Sequence, residues 1–201
     1  MKNTYIGSPV ERREDFRFLR GRGQYVDDLA PENLLYAVIL RSSVAHGRII
    51  SIDASAALKI AGVHTVITAK DMPGGPPIIP MRLQPLPEFK PFEQSVIAHD
   101  KVRYVGEPIA VLLTTSVAIG EDALEAIAVE IEDLPPVADW RTAAKNQSVL
   151  FEKQGTNRSL VFQARKGDAD AAFADAPYVR RERMRTGRHY GLTLEPRGVM
   201  A

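Results

Sequence analysis

The chain has 201 residues, 45% hydrophobic and 25% charged, with 26 Lys and Arg against 25 Asp and Glu. That length allows one domain or a domain plus a fragment, and the near-zero charge balance gives no global attraction to nucleic acid or an anionic membrane. There is no cysteine, which excludes a disulfide scaffold, a thiol nucleophile and any thiolate-held zinc or iron–sulfur site in these residues.

Residues 1–19 mix charge with scattered apolar side chains, as in Glu11-Arg12-Arg13-Glu14-Asp15-Phe16-Arg17-Phe18, and read as an N-terminal arm. They contain no apolar core of a signal peptide, and nowhere does an apolar run approach the roughly 20 residues of a membrane span. The expectation is a cytoplasmic protein with neither a membrane nor a nucleic-acid partner.

Gly21-Arg22-Gly23-Gln24-Tyr25-Val26-Asp27-Asp28 punctuates a short strand, and the apolar run from Leu34 to Arg41 predicts a buried central strand. A loop through His46 leads to a second strand, Ile49 to Asp53. A lone loop histidine reads as a hydrogen-bonding residue before it reads as a base or ligand. Asp53 to Gly62 predicts a compact helix, with Asp53 or Ser55 as cap and Gly62 just past its end. Val63 to Ala69 then reads as a strand.

From Gly74 to Gln94 the prolines at 76, 77, 80, 85, 87 and 91 exclude any regular element. The apolar residues among them (Ile78, Ile79, Met81, Leu83, Leu86, Phe89, Phe92) predict a loop that lies against this domain's own sheet or a partner. Val102 to Leu113 reads as a hairpin turning at Gly106-Glu107-Pro108, its second arm apolar throughout and so buried on both faces. Ser116 to Ala126 predicts a helix with Ile119, Ala123, Leu124 and Ile127 on one face. Ala128 to Glu132 alternates apolar and acidic residues, so Glu130 and Glu132 line a wet strand face rather than form an acid–base pair.

Residues 137–165 show little periodicity. Gly167 to Ala176 predicts a short helix capped by Asp168. Tyr178 to Arg188, with arginines at 180, 181, 183, 185 and 188, reads as an extended strand facing solvent or another subunit. Gly198 to Ala201 reads as half a strand, so the chain is expected to stop inside a larger fold.

No nucleophile elbow, zinc-binding helix motif, P-loop or dinucleotide fingerprint occurs. The four histidines, 46, 64, 99 and 189, stand singly. The residues therefore predict an α+β fold, two helices on a mixed sheet followed by an incomplete α/β segment, and assign no catalytic, cofactor-binding or metal residue.

Several segments, taken in order, resemble the large molybdopterin-binding subunit of molybdenum hydroxylases, the group of xanthine dehydrogenase, aldehyde oxidase and aerobic carbon monoxide dehydrogenase. They are Gly21 to Asp28, Arg41-Ser42-Ser43-Val44-Ala45-His46-Gly47-Arg48-Ile49, Ile52-Asp53, Gly62-Val63, Thr68-Ala69-Lys70-Asp71-Met72-Pro73, Lys101 to Ala110, Leu134-Pro135-Pro136-Val137, Gly167-Asp168 and Leu194-Glu195-Pro196-Arg197-Gly198. The resemblance implies an a/b hammerhead domain over residues 20–136, with residues 137–201 a linker and the truncated start of the molybdopterin-binding domain.

It also implies an N-terminal fragment or split small subunit that gives structure and interface to an oxidoreductase complex and is not catalytic alone. The family hydroxylates its substrate with water-derived oxygen at a molybdenum–molybdopterin cofactor and passes electrons through 2Fe-2S clusters to FAD. This chain is expected to bind none of these by itself. Its expected partners are the remainder of the large subunit, an iron–sulfur subunit and an FAD subunit. The family's pterin-contacting segments and catalytic glutamate have no counterpart here, and Glu195 does not take that role. The competing reading is a non-catalytic hammerhead binding or assembly module that uses the proline-rich loop as its contact surface.

Overall fold

A computed structural model describes residues 6–82, 86–193, 195 and 197–201; Leu83, Pro85, Leu194 and Pro196, named above, lie outside them. The elements are α1 (Asp15–Leu19), β1 (Tyr36–Arg41), β2 (Gly47–Asp53), β3 (Val63–Thr68), β4 (Lys101–Val102), β5 (Pro108–Thr114), α2 (Val117–Glu125), β6 (Ala128–Asp133), α3 (Trp140–Ala143) and α4 (Ala169–Asp175). The chain divides into two compact units: Leu35–Asp168, and Met1–Leu34 together with Ala169–Ala201.

The six strands among the described residues all lie in the first unit. They form two antiparallel three-stranded sheets, ordered β1-β5-β3 and β4-β2-β6. The α+β class stands, but the expected mixed sheet is replaced by two sheets without a parallel pair among the described residues. Val102 and Ile109 do not sit on two arms of a hairpin. Both edges of β5 are taken by β1 and β3 over most of its length, and the two-residue β4 pairs with β2 instead. The turn between them thus carries the chain from one sheet to the other.

The same pairing corrects β1. Its apolar run suggested a central strand, yet it is an edge: Val38 is buried while Ala37 and Ile39 face out. β5 is central, and Ala110, Leu112 and Thr114 are fully buried.

Three register shifts shape the sheets. They leave Ile109 extra on β5, Ile50 on β2 and His64 on β3, and such bulges re-aim side chains. Ile109 belongs to a core cluster with Ala98 and Val102, whereas Leu112 packs with Val38, Ala57, Ala123 and Ile127. Leu40, Ile52 and Val129 pack against both clusters, so one continuous core joins the two sheets.

α2 forms as its sequence predicts. Ser116 accepts the Ile119 N–H at 3.3 Å, capping the start, and Gly120 and Ala123 are buried on its inner face. The compact helix expected from Asp53 to Gly62 shrinks to a 3-10 turn over Ala57–Lys59. Asp53 still accepts the Ser55 N–H at 2.9 Å, and Gly62 turns at a φ of 92°. Nine residues between two strands leave room for one turn, not three.

In the proline-rich loop, Pro87–Phe92 makes a 3-10 helix with Pro87 in its first turn, and Ile78 bridges Ser95. Ile78, Ile79 and Met81 remain about half exposed, so their own sheet does not cover them.

In the second unit, α1 and α4 are short; Phe18 stacks on Tyr25 with ring centroids 6.1 Å apart. Residues 177–193 carry no helix or strand and are exposed throughout, so the strand expected over Tyr178 to Arg188 is absent. Residues 198–201 form no strand either.

Candidate functional site

The densest polar structure surrounds the turn Tyr104-Val105-Gly106-Glu107. The Glu107 N–H donates to the Tyr104 carbonyl at 3.3 Å, and Gly106 has a φ of 90°. That is a type II turn, whose third position favours glycine. Ser42 clasps the turn from the facing strand end: its N–H donates to the Glu107 carbonyl at 2.9 Å, and its carbonyl accepts the Gly106 N–H at 2.7 Å. Arg41 Nη1 adds a bond to the Gly106 carbonyl at 2.9 Å.

Glu107 is the turn's unusual residue, with 2% of its surface exposed. Its carboxylate accepts the Arg103 backbone N–H. Burial pushes the carboxyl above its ordinary range, and the Arg103 amide and guanidinium pull partly against that. Burial and the nearby Glu107 charge also raise the Tyr104 phenol.

Beside the turn, the nearly buried Lys101 ammonium pairs with Glu152. That bond holds the Glu152 carboxyl below its ordinary range, with help from the Lys101 and His46 charges. The Arg103 guanidinium lies 4.8 Å above the Phe151 ring and donates from Nε to the Leu150 carbonyl at 3.2 Å. Phe151 in turn meets Phe92 edge-on at 5.4 Å.

His46 is 3% exposed, and its Nδ1 lies 2.9 Å from the Pro135 carbonyl. A carbonyl can only accept, so Nδ1 carries the proton. This is the hydrogen-bonding role its isolation in the sequence suggested. Its Nε2 is buried without a partner among the described residues. Glu130 and Glu132 lie on the exposed face of β6, bonded to Ser51 and Arg48 of β2. They are a solvated pair of strand neighbours, as expected. Glu195 is exposed.

The cluster brings together Lys101, Arg103, Glu107 and Glu152, none of which sequence reasoning singled out as interacting. Only the residues flanking Gly106 were marked, through their turn chemistry. The grouping offers no nucleophile paired with a base. Its charges are spent on one another and on backbone groups, which suits holding a shape rather than making bonds.

The family described as the aldehyde oxidase and xanthine dehydrogenase a/b hammerhead domain matches residues 20–135. The chain belongs to this family. The gamma subunit of the 6-hydroxypseudooxynicotine dehydrogenase complex of Paenarthrobacter nicotinovorans is 37% identical over 99% of this chain and 25% of its own length. Aldehyde oxidoreductase from Desulfovibrio gigas superposes with a TM-score of 0.72 at 26% identity, over 83% of this chain and 19% of its own. A Cu,Mo-CO dehydrogenase gives a TM-score of 0.66 at 30% identity, over 86% and 23%. The chain thus spans about a quarter of its dehydrogenase-complex relative.

Hammerhead relatives that carry a molybdenum–pterin group pose a test of fit. Among the described residues no group of three or more His, Asp or Glu is placed to hold a metal. Two cavities, beside Thr142 and beside His99, measure about 90 and 60 Å³, against several hundred Å³ for a cofactor site.

Proposed function

We propose that this chain is the N-terminal piece, or a separately encoded small subunit, of a molybdenum hydroxylase large subunit, and that it supplies structure and interface rather than bond-making groups. One observation carries the reading: the chain aligns over 99% of its length with only 25% of a dehydrogenase subunit, and the hammerhead match fills residues 20–135. The polar cluster around Glu107 supports it, since its charges are engaged in fixing a turn and a neighbouring segment.

On this reading the molybdenum–molybdopterin, 2Fe-2S and FAD groups belong to other polypeptide. The complex is a cytoplasmic oxidoreductase; among the described residues no helix is long and apolar enough to cross a membrane. Ile78, Ile79 and Met81, left half exposed on the proline-rich loop, would lie against the remainder of the large subunit. An affinity-tagged chain should capture a larger polypeptide with the fluorescence of a pterin. Capture of proteins without pterin would instead favour the free-standing binding module.

A further inference from the structure

The family match ends at residue 135, yet the bonding does not. Ser148 Oγ donates to the Pro135 carbonyl at 2.7 Å, the same carbonyl that His46 holds. Asn157 gathers the loop that follows. Its Nδ2 donates to the carbonyls of Ala143 and Ser148 at 3.0 and 2.7 Å, and its Oδ1 accepts the Leu150 N–H at 3.0 Å. The Asn157 N–H donates to Asn146 Oδ1 at 3.0 Å, and Asn146 itself turns at a φ of 55°, a conformation asparagine tolerates better than most residues.

The loop so gathered is fastened to the sheet body at three consecutive residues. Leu150 and Phe151 are held by Arg103, and Glu152 by Lys101. The Lys101 side chain is only 7% exposed. An ammonium that deep is costly unless paired, so the body is incomplete without the carboxylate this loop delivers. Arg103 also donates its backbone N–H to Glu107, which places the fastening on the same residue that braces the turn between the sheets.

We propose that residues 146–157 are a latch, closed by the Asn157 clasp and the Lys101–Glu152 pair. The latch extends the folded body beyond the hammerhead match and gives the chain after Asn157 a fixed anchor beside the Tyr104–Glu107 turn. Lys101, Glu152 and Asn157 are positioning residues, not catalytic ones.

Hydrogen exchange on the 201-residue chain and on the variants N157A and K101M tests this. In the unaltered chain the Leu150 and Asn157 amides should exchange about tenfold or more slowly than residues 177–193. Either variant should abolish that protection while β5 keeps its own. N157A removes no core atom, so it carries the test if K101M does not fold. Three outcomes overturn the proposal: fast exchange of 146–157 in the unaltered chain, protection unchanged in N157A, or loss of β5 protection together with the loop in N157A. The last would make the loop part of the global core rather than a separable latch.

Discussion

Gly120 of α2 rests directly on Val38 of β1. A Cβ at Gly120 would lie 2.3 Å from Val38 Cγ2 and 2.9 Å from Val38 Cβ, with Thr114 Oγ1 at 3.1 Å. The helix can approach the sheet this closely only because position 120 has no side chain. Gly120→Ala gains about 1 kcal/mol of helix propensity but must move the strand or the helix, at about 1–3 kcal/mol. A net loss of up to about 2 kcal/mol is expected in urea unfolding. Combined with Val38→Ala, the loss should be smaller than the two single losses added, because the second change vacates the space the first needs.

Gly106 presents the opposite case. Nothing lies within 4 Å of its missing Cβ, yet its φ is 90°. Substitution there meets backbone strain without a clash. Gly106→Ala should cost about 1–2 kcal/mol and Gly106→Asn less, since asparagine tolerates the left-handed region. Thermal melts of the three proteins give the order directly; equal melting temperatures would refute the turn assignment.

Glu107 and Glu152 give stability pH dependences of opposite sign. Burial raises the folded-state pKa of Glu107, so its contribution is fully present below the unfolded value and is lost as pH rises through the folded one. The Lys101 bond lowers that of Glu152, so its contribution is present above the unfolded value and is lost as pH falls through the folded one. Glu107→Gln keeps an acceptor for the Arg103 N–H and removes the buried charge. Its advantage over the parent should grow as pH rises from the unfolded towards the folded pKa of Glu107 and level off above it, read by denaturant unfolding across a pH series. Glu107→Ala leaves that N–H unpaired and should cost about 1–3 kcal/mol.

Residues 177–193 are exposed and without helix or strand. Their amides should exchange near the rate of an unfolded chain in the isolated protein, while β5 exchanges slowly. Slow, uniform protection across 177–193 would contradict this.

Local signals in the sequence were legible where a single segment decides its own form. Ser116 before the apolar face of α2, Gly106 ahead of Pro108, and the alternation of Val129 and Ile131 with Glu130 and Glu132 all gave the element found. What could not be read was partnership. That β5 pairs with β1 and β3, leaving β4 to β2, depends on register between distant strands, which apolar runs do not specify. Lys101 and Glu152 stand 51 positions apart, and neither carries a local mark of burial. The Asp53 to Gly62 helix was overread because a cap and an end-glycine fit a single turn as well as three.

We have proposed that this hammerhead chain works as part of a molybdenum hydroxylase. The most direct measurement expresses the tagged chain together with the coding sequence that follows its own, and assays the affinity eluate for molybdenum. Molybdenum should elute with the chain and a larger polypeptide, and be absent when the chain is expressed alone. A folded, monomeric chain that elutes without that polypeptide or the metal under both conditions would contradict it.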